Sequence, residues 1–187
     1  YLLSQHWIDL KKPEFAHVPQ RLPEVGYTIN PISIGPMIFT MSSSLANFHR
    51  DKEPAGQRLD LNPTLSYSFG DWVRLSQSIS PRATFYTLKN WDGYNESFLR
   101  KTFQYRAKAL SRLVKQYSAF SHIFEPSIEY RFIPDARPVP LFDSTELFDK
   151  TSSAHLSLYN RISFRSLALS ARITQPYDFN RGTLKPT

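Results

Sequence analysis

The chain has 187 residues, with 23 Lys and Arg against 16 Asp and Glu for a formal charge of +7, and an aromatic content of 14% that marks a folded protein rather than a disordered one. It contains no cysteine, which excludes a disulfide scaffold, a thiol nucleophile and a Cys-ligated zinc or iron–sulfur site within this segment. No apolar run approaches the roughly 18 residues of a membrane helix, but strands of a membrane barrel need only about 9–11 alternating residues, so that class stays open.

The dominant signal is a period of two, which sends successive side chains to opposite faces of a strand. Strands are predicted at about 2–9, 23–30 and 37–48. In the third, Met37, Phe39, Met41 and Leu45 alternate with Thr40, Ser42 and Ser44, and Ile38 is out of phase. Segment 58–69 is the clearest: Leu59, Leu61, Pro63, Leu65, Tyr67 and Phe69 alternate with Arg58, Asp60, Asn62, Thr64, Ser66 and Ser68. It is long beside the usual soluble strand of about 5–6 residues. After the turn dipeptide Gly70-Asp71, a strand over 72–87 sets Val73, Leu75, Ile79, Pro81, Ala83 and Phe85 against Arg74, Ser76, Ser78, Ser80, Arg82 and Thr84.

Segment 98–117 satisfies two templates. Leu99, Phe103, Tyr105, Ala107 and Ala109 alternate as a strand over 98–113, while Leu99, Phe103, Ala107, Leu110, Val114 and Tyr117 follow helical spacing. The flanking strands favour the strand. Three more strands follow, at 120–133, 153–164 and 167–177, the first with Phe120, His122, Phe124, Pro126, Ile128, Tyr130 and Phe132 on its apolar side.

The links, 10–22, 31–36, 49–57, 70–71, 88–97, 114–119, 134–152 and 165–166, alternate long and short. This predicts an all-β fold: an antiparallel up-and-down meander of about nine strands, part of a transmembrane outer-membrane β-barrel with short turns at one end and long loops at the other. A Greek-key sandwich does not keep such alternation. Prolines cluster in the long links (Pro13, Pro19, Pro54, Pro134, Pro138, Pro140). Pro63, Pro81 and Pro126 fall inside strands, where the missing N–H marks a bulge, a strand end or a weakly paired position.

The polar face carries Arg58, Asp60, Arg74, Arg82, Arg100, Arg106, Lys108, Glu125, Glu129, Arg131, Arg161 and Arg172. In a barrel this face lines the lumen, and its surplus of cations favours anionic groups; in a soluble sandwich it is the solvent face. No catalytic constellation emerges. The five histidines lack metal-ligand spacing, and His122 and Glu125 lie on opposite faces of one strand. The acidic stretch 143–149, with Asp143, Glu146 and Asp149, reads as a solvated loop, calcium being the less favoured alternative. No cofactor, metal or nucleic-acid module is expected.

Several motifs together resemble one family. They are His122-Ile123-Phe124-Glu125-Pro126 followed by Tyr130, Ile133-Pro134 and Pro140-Leu141-Phe142-Asp143; Arg21-Leu22-Pro23; Arg58-Leu59-Asp60-Leu61-Asn62-Pro63; Pro81-Arg82-Ala83-Thr84-Phe85-Tyr86; and Gln175-Pro176-Tyr177-Asp178-Phe179. In order and spacing they resemble the C-terminal barrel of the LptD family, the lipopolysaccharide-assembly or organic solvent tolerance proteins. The resemblance implies a non-enzymatic protein of the cell outer membrane that inserts lipopolysaccharide into the outer leaflet. It also implies an LptE-like lipoprotein inside the barrel and an N-terminal periplasmic jellyroll that receives lipid from bridge proteins. Residue 1 is Tyr rather than Met, and residues 1–187 read as a partial C-terminal domain of the large, many-stranded barrel that the resemblance implies, with the jellyroll and the family's structural cysteines outside it and neither gate strand assigned. Such an open sheet with two bare edges is not expected to be stable alone. Candidate lumen contacts for lipopolysaccharide or partner are Arg58, Arg74, Arg82, Arg106, Arg131, Arg161 and Arg172. His122, Glu125, Pro126 and Tyr130 are carried as family-motif residues. A different outer-membrane barrel (a porin or nutrient receptor) and a soluble β-sheet binding module are the alternatives. The last of these requires Leu65, Phe85 and Ile128 to be buried under a second protein layer.

Overall fold

The structure is a computed structural model that describes residues 1–5, 20–49, 55–91, 93–136, 138–139, 141–143, 145–147, 149–181 and 183–184. The strands are β1 (Leu2–Gln5), β2 (Gln20–Ile34), β3 (Met37–His49), β4 (Ala55–Phe69), β5 (Val73–Trp91), β6 (Tyr94–Ser111), β7 (Leu113–Gln116), β8 (Ser121–Ile133), β9 (Thr151–Ser163), β10 (Ala168–Asp178) and β11 (Thr183–Leu184). They form one antiparallel sheet in chain order, with β7 beside β8, and among the described residues the sheet does not close. The predicted all-β meander is the observed fold. The predicted residues 6–9 of the first strand, most of the link 10–22, and Pro13, Pro19, Pro54 and Pro140 lie outside the described residues.

Two predicted links, 31–36 and 88–97, are largely strand instead, and 114–116 of a third belongs to β7. Residues 31–34 continue β2, because a bulge between Ile29 and Ile32 absorbs Pro31 without ending the strand. Residues 88–91 and 94–97 extend β5 and β6 into a long hairpin, with a register shift between Leu88 and Trp91. Asn90 takes a positive φ of 56° there, a conformation Asn tolerates better than most side chains. The segment 98–117 is extended, since β5 and β8 supply hydrogen-bond partners on both of its sides.

Pro63, Pro81 and Pro126, the three strand prolines expected to disturb the ladder, mark weakly paired positions. Pro126 stands opposite the junction of β6 and β7: pairing stops at Leu110↔Ser127 and resumes in the same register at Leu113↔Phe124. Pro63 and Pro81 face one another across β4 and β5, and the ladder is missing between Leu61↔Ala83 and Leu65↔Ile79 with the register unchanged. Neither proline has an N–H to give. On the polar face Thr64 and Ser80 span this gap through their hydroxyls at 2.8 Å. Replacing both prolines (Pro63→Val with Pro81→Val) restores two donors. The new amides at positions 63 and 81 are then expected to exchange as slowly as those of the flanking residues, with a gain of ~1 kcal/mol in a urea titration. Fast exchange at both would assign the gap to another cause.

The two faces of this sheet are inverted relative to a soluble protein. On the apolar face Val25, Leu45, Leu59, Phe85, Ile128, Leu156 and Ile173 are exposed, Phe85 at 46% and Ile128 at 50%, and Leu65 is half-buried. No second protein layer covers them among the described residues. Burial is concentrated instead on the charged face, where Arg58 is 1% exposed and Arg100, Asp60 and Thr84 are also buried. Contiguous exposed apolar surface of this extent marks a contact with partner or membrane.

The apolar face is also a bounded band. On β4 it runs ten steps from Leu59 to Phe69, about 33 Å of strand at ~3.3 Å per residue, or about 24 Å of height at an inclination of ~45°; outer-membrane barrels have a band ~25 Å tall. Above the row Leu45, Leu59, Phe85 and Leu99, the next row on the same face is Asn47, Gln57, Thr87 and Ser97. At the short-turn end the band finishes in aromatic rings. Tyr117 stacks on Phe120 at 4.5 Å, Phe120 meets Phe164 at 5.7 Å, and Trp72 in the β4–β5 turn is 86% exposed, as amphipathic rings at a membrane boundary are.

Candidate functional site

The polar face divides into two zones. In the first, formed by β2 to β6 near the long-loop end, the 134–150 segment between β8 and β9 is docked against the strands. The cross-strand neighbours Ala46, Arg58, Tyr86 and Phe98 form one row on this face. Phe142 of the segment stacks on Phe48 with ring centroids 4.5 Å apart and closes a small core of Ala46, Phe48, Tyr86 and Leu88. Gly56 sits between Phe48 and Leu88 in register, where a Cβ would collide with the Thr87 carbonyl.

Two carboxylates of the segment meet Arg58. Its Nη1 lies 2.6 Å from Glu146 Oε1 and 2.9 Å from Asp143 Oδ1, and its Nη2 donates to Asp143 Oδ2 at 3.0 Å. Arg21 adds a second donor to Asp143 Oδ2 at 2.7 Å. Glu146 further accepts from the Tyr86 hydroxyl at 3.1 Å and from the backbone N–H groups of Phe142 and Asp143 at 3.2 and 2.7 Å. Arg100 donates to the Glu146 carbonyl at 3.3 Å. The Arg58 guanidinium also lies 4.9 Å from the centre of the Phe48 ring, a favourable cation–π contact. Burial pushes the Asp143 carboxyl up, but hydrogen bonding and charge from Arg58, with Thr145, outweigh it and hold Asp143 well below the usual carboxylate range.

The acidic stretch is therefore not a solvated loop: Asp143 and Glu146 neutralise strand arginines. Among the described residues no cluster fit to hold a metal ion is found. Sequence reasoning missed this docking. Its local half was visible, since Asp143-Ser144-Thr145-Glu146 is a turn former in which Asp143 Oδ1 accepts the Thr145 N–H at 2.7 Å.

The other candidate residues fall as follows. Arg82 is clamped to Asp60 by two bonds of 2.8 Å. Arg74 is exposed near the short-turn end and pairs in register with Leu110. Arg161 donates to Ser163 at 3.2 Å, and Arg172 lies over the Tyr159 ring at 5.2 Å. Arg106 and Arg131 are directly opposite one another. Of the motif residues, Glu125 points to the polar face and pairs with Arg112 at 3.0 Å. His122 and Tyr130 lie on the apolar face, bonded to Asn160 at 3.0 Å and Ser152 at 3.2 Å. Pro126 stands at the ladder break. The structure thus gathers Arg58 with Arg21, Arg100, Asp143 and Glu146, and leaves Arg74, Arg106, Arg131, Arg161 and Arg172 in the second zone.

That second zone is open. A cavity of about 380 Å³ lies across β6, β8, β9 and β10, lined by Lys108, Glu125, Glu129, Arg131, His155 and Arg172 among others. All of these are polar-face residues, so the four strands curve around it.

No curated protein matches the chain. The family model LptD, described as LPS transport system D, matches residues 1–175. The inverted faces, the bounded apolar band and this match over nearly the whole length agree, and the chain belongs to the LptD family, outer-membrane components of lipopolysaccharide transport.

Proposed function

We propose that this chain is a partial C-terminal barrel domain of a protein that inserts lipopolysaccharide into the outer leaflet of the outer membrane. In the full-length protein an N-terminal jellyroll takes the lipid from periplasmic bridge proteins, and an LptE-like lipoprotein occupies the lumen. The chain's own part is a wall with two solvents: acyl chains stay on the apolar face, and the saccharide and the lipoprotein meet the polar one. No bond is made or broken, so the work is partition and electrostatics. The observation that carries this reading is the inversion of burial, with Phe85 and Ile128 uncovered while Arg58 and Arg100 are enclosed. Arg74, Arg106, Arg131, Arg161 and Arg172 are the arginines left for the passing anionic lipid or the lipoprotein. Arg58 and Arg82 serve the wall itself through Glu146, Asp143 and Asp60.

The test is photocrosslinking in the full-length protein in cells. A benzophenone amino acid at Ser66, Ser78 or Ser157, on the polar face, is expected to capture lipopolysaccharide or the lipoprotein. The same probe at Gln77 or Leu156, on the apolar face, is expected to capture neither the lipoprotein nor the saccharide portion. Capture of neither species from all three polar positions would defeat the reading.

A further inference from the structure

Arg106 of β6 and Arg131 of β8 form a direct cross-strand pair on the polar face. Like charges in this position destabilise a sheet. They share one carboxylate, Glu129, whose Oε1 lies 3.4 Å from Arg106 Nε and 3.7 Å from Arg131 Nη2. The Nε atoms of both guanidiniums are buried without a hydrogen-bond partner, although the side chains as a whole remain 43% and 40% exposed. A buried donor left without a hydrogen bond is costly, so two arginines with one distant carboxylate between them are a poor structural choice and a good anion trap.

The surroundings add to the charge. Lys108 faces Glu129 in register, but Glu129 is turned to the arginines. Glu125 is taken by Arg112. Arg172, held over Tyr159, points its charge to the same cavity. Of the two carboxylates that line the cavity, Arg112 holds Glu125, and Glu129 alone stands against Lys108, Arg131 and Arg172 with Arg106 beside them. The cavity volume, about 380 Å³, lies in the range of small-molecule sites, roughly 300–1,000 Å³. Ser127, Ser157 and Thr174 line it with hydroxyls.

We propose that this cavity, together with Arg106 at its edge beside Arg131, is a binding site for a phosphate group of a phosphorylated glycan, bridged between Arg106 and Arg131 with Lys108 and Arg172 completing the charge. A phosphate offers tetrahedral oxygens that accept forked N–H pairs from two guanidiniums at once, and its charge of up to about −2 suits this excess better than a carboxylate does. The site rests on the reading that lipopolysaccharide meets this face and names the part of the lipid that is held there.

The experiment uses the full-length protein with its lipoprotein in proteoliposomes, with a benzophenone amino acid at Ser127. Two probes are supplied: phosphorylated lipopolysaccharide, and the same material dephosphorylated with hydrofluoric acid. With the phosphorylated probe, Arg106→Gln with Arg131→Gln is expected to lower the adduct at least fivefold, and Arg106→Lys with Arg131→Lys to keep a substantial part of it. With the dephosphorylated probe, the double Gln variant and the parent are expected to give equal, low yields. The double Gln variant is expected to melt at the parent temperature or above it, since a repulsion has been removed. Equal adduct in parent and Gln variant, equal loss with both probes, a lowered melting temperature, or capture of the lipoprotein in place of lipopolysaccharide would each overturn the site. If Ser66 and Ser78 still capture lipopolysaccharide while Ser127 does so without regard to the arginines, the phosphate site fails alone. If none of them captures it, the transport reading fails first.

Discussion

Arg58→Met releases the 134–150 segment from the strand wall, and a nitroxide attached at Leu147→Cys changes from restrained to mobile in its electron spin resonance spectrum. The expected size of the effect follows from burial. Arg58 and Glu146 side chains are 1% and 2% exposed and that of Asp143 is 12%. Removing one member of a buried ionic group leaves the others without compensation, which costs about 3–5 kcal/mol. The contacts that remain to offset that are the Phe142 stack on Phe48, the Arg21 bond to Asp143, the Tyr86 bond to Glu146 and the Arg100 bond to the Glu146 carbonyl. The same principle supplies the control. Arg58→Met combined with Asp143→Asn and Glu146→Gln leaves no unpaired charge, and a large part of the restraint is expected to return. A network that mattered only through net charge would instead respond in opposite directions, since the single change lowers that charge by one and the triple change raises it by one.

The pH dependence has a definite sign. The Asp143 carboxyl is held below its ordinary value when docked, against about 3.9 when free. A depressed acid contributes stability that is complete above the free value and is lost as the pH falls through the docked one. The wild-type label is therefore expected to stay restrained from neutral pH down to about pH 4 and to loosen only below it. The Arg58→Met label is expected to be mobile throughout. Loosening of the wild type near pH 6 would mean that another group holds the segment.

How much of this could be read in advance depends on range. The strands were legible because one face is apolar over ten steps at a time, as from Leu59 to Phe69, and no other regular structure has that period. The failures have specific causes. Lys89, Asn90, Asp92 and Gly93 carry turn chemistry, yet β5 runs on to Trp91 and β6 begins at Tyr94; this stretch was illegible because both of its faces lie beyond the apolar band and have no pattern to show. Pro31 looks like a link residue and is a bulge. The docked segment was hidden for a deeper reason: the partners of Asp143 lie at Arg21 and Arg58, and no local pattern encodes a pairing across that separation. One trace did exist. Ala46, Phe48 and Leu88 put apolar side chains on the otherwise polar face, and apolar residues on a wet face signal that something covers them. The open cavity left no trace of its own, because Arg106 and Arg131 alternate as any polar-face residues do and only their register makes them opposite.

The second large effect concerns the face that was legible. Leu65→Arg places a charge at mid-height of the apolar band, and Ile128→Arg does the same on β8. In a bilayer each costs about 2–4 kcal/mol, falling to about 0–1 kcal/mol toward the boundaries, where Leu59→Arg and Trp72→Arg lie. Ser66→Arg, one residue from Leu65 and on the opposite face, is expected to be tolerated. The ranking is expected in the heat-modifiable folded fraction of the full-length protein recovered from outer membranes, and again as depth-dependent shifts in urea titrations from lipid vesicles. The contrast is sharp because exposure alone predicts the reverse. Ile128 is 50% exposed and Ser66 is partly buried, so in water the change at Ile128 would be the harmless one. Equal tolerance of Ile128→Arg and Ser66→Arg would mean that this face meets water. A penalty largest at Leu65 and Ile128 means that its solvent is hydrocarbon, and that the arginines opposite enclose the aqueous path.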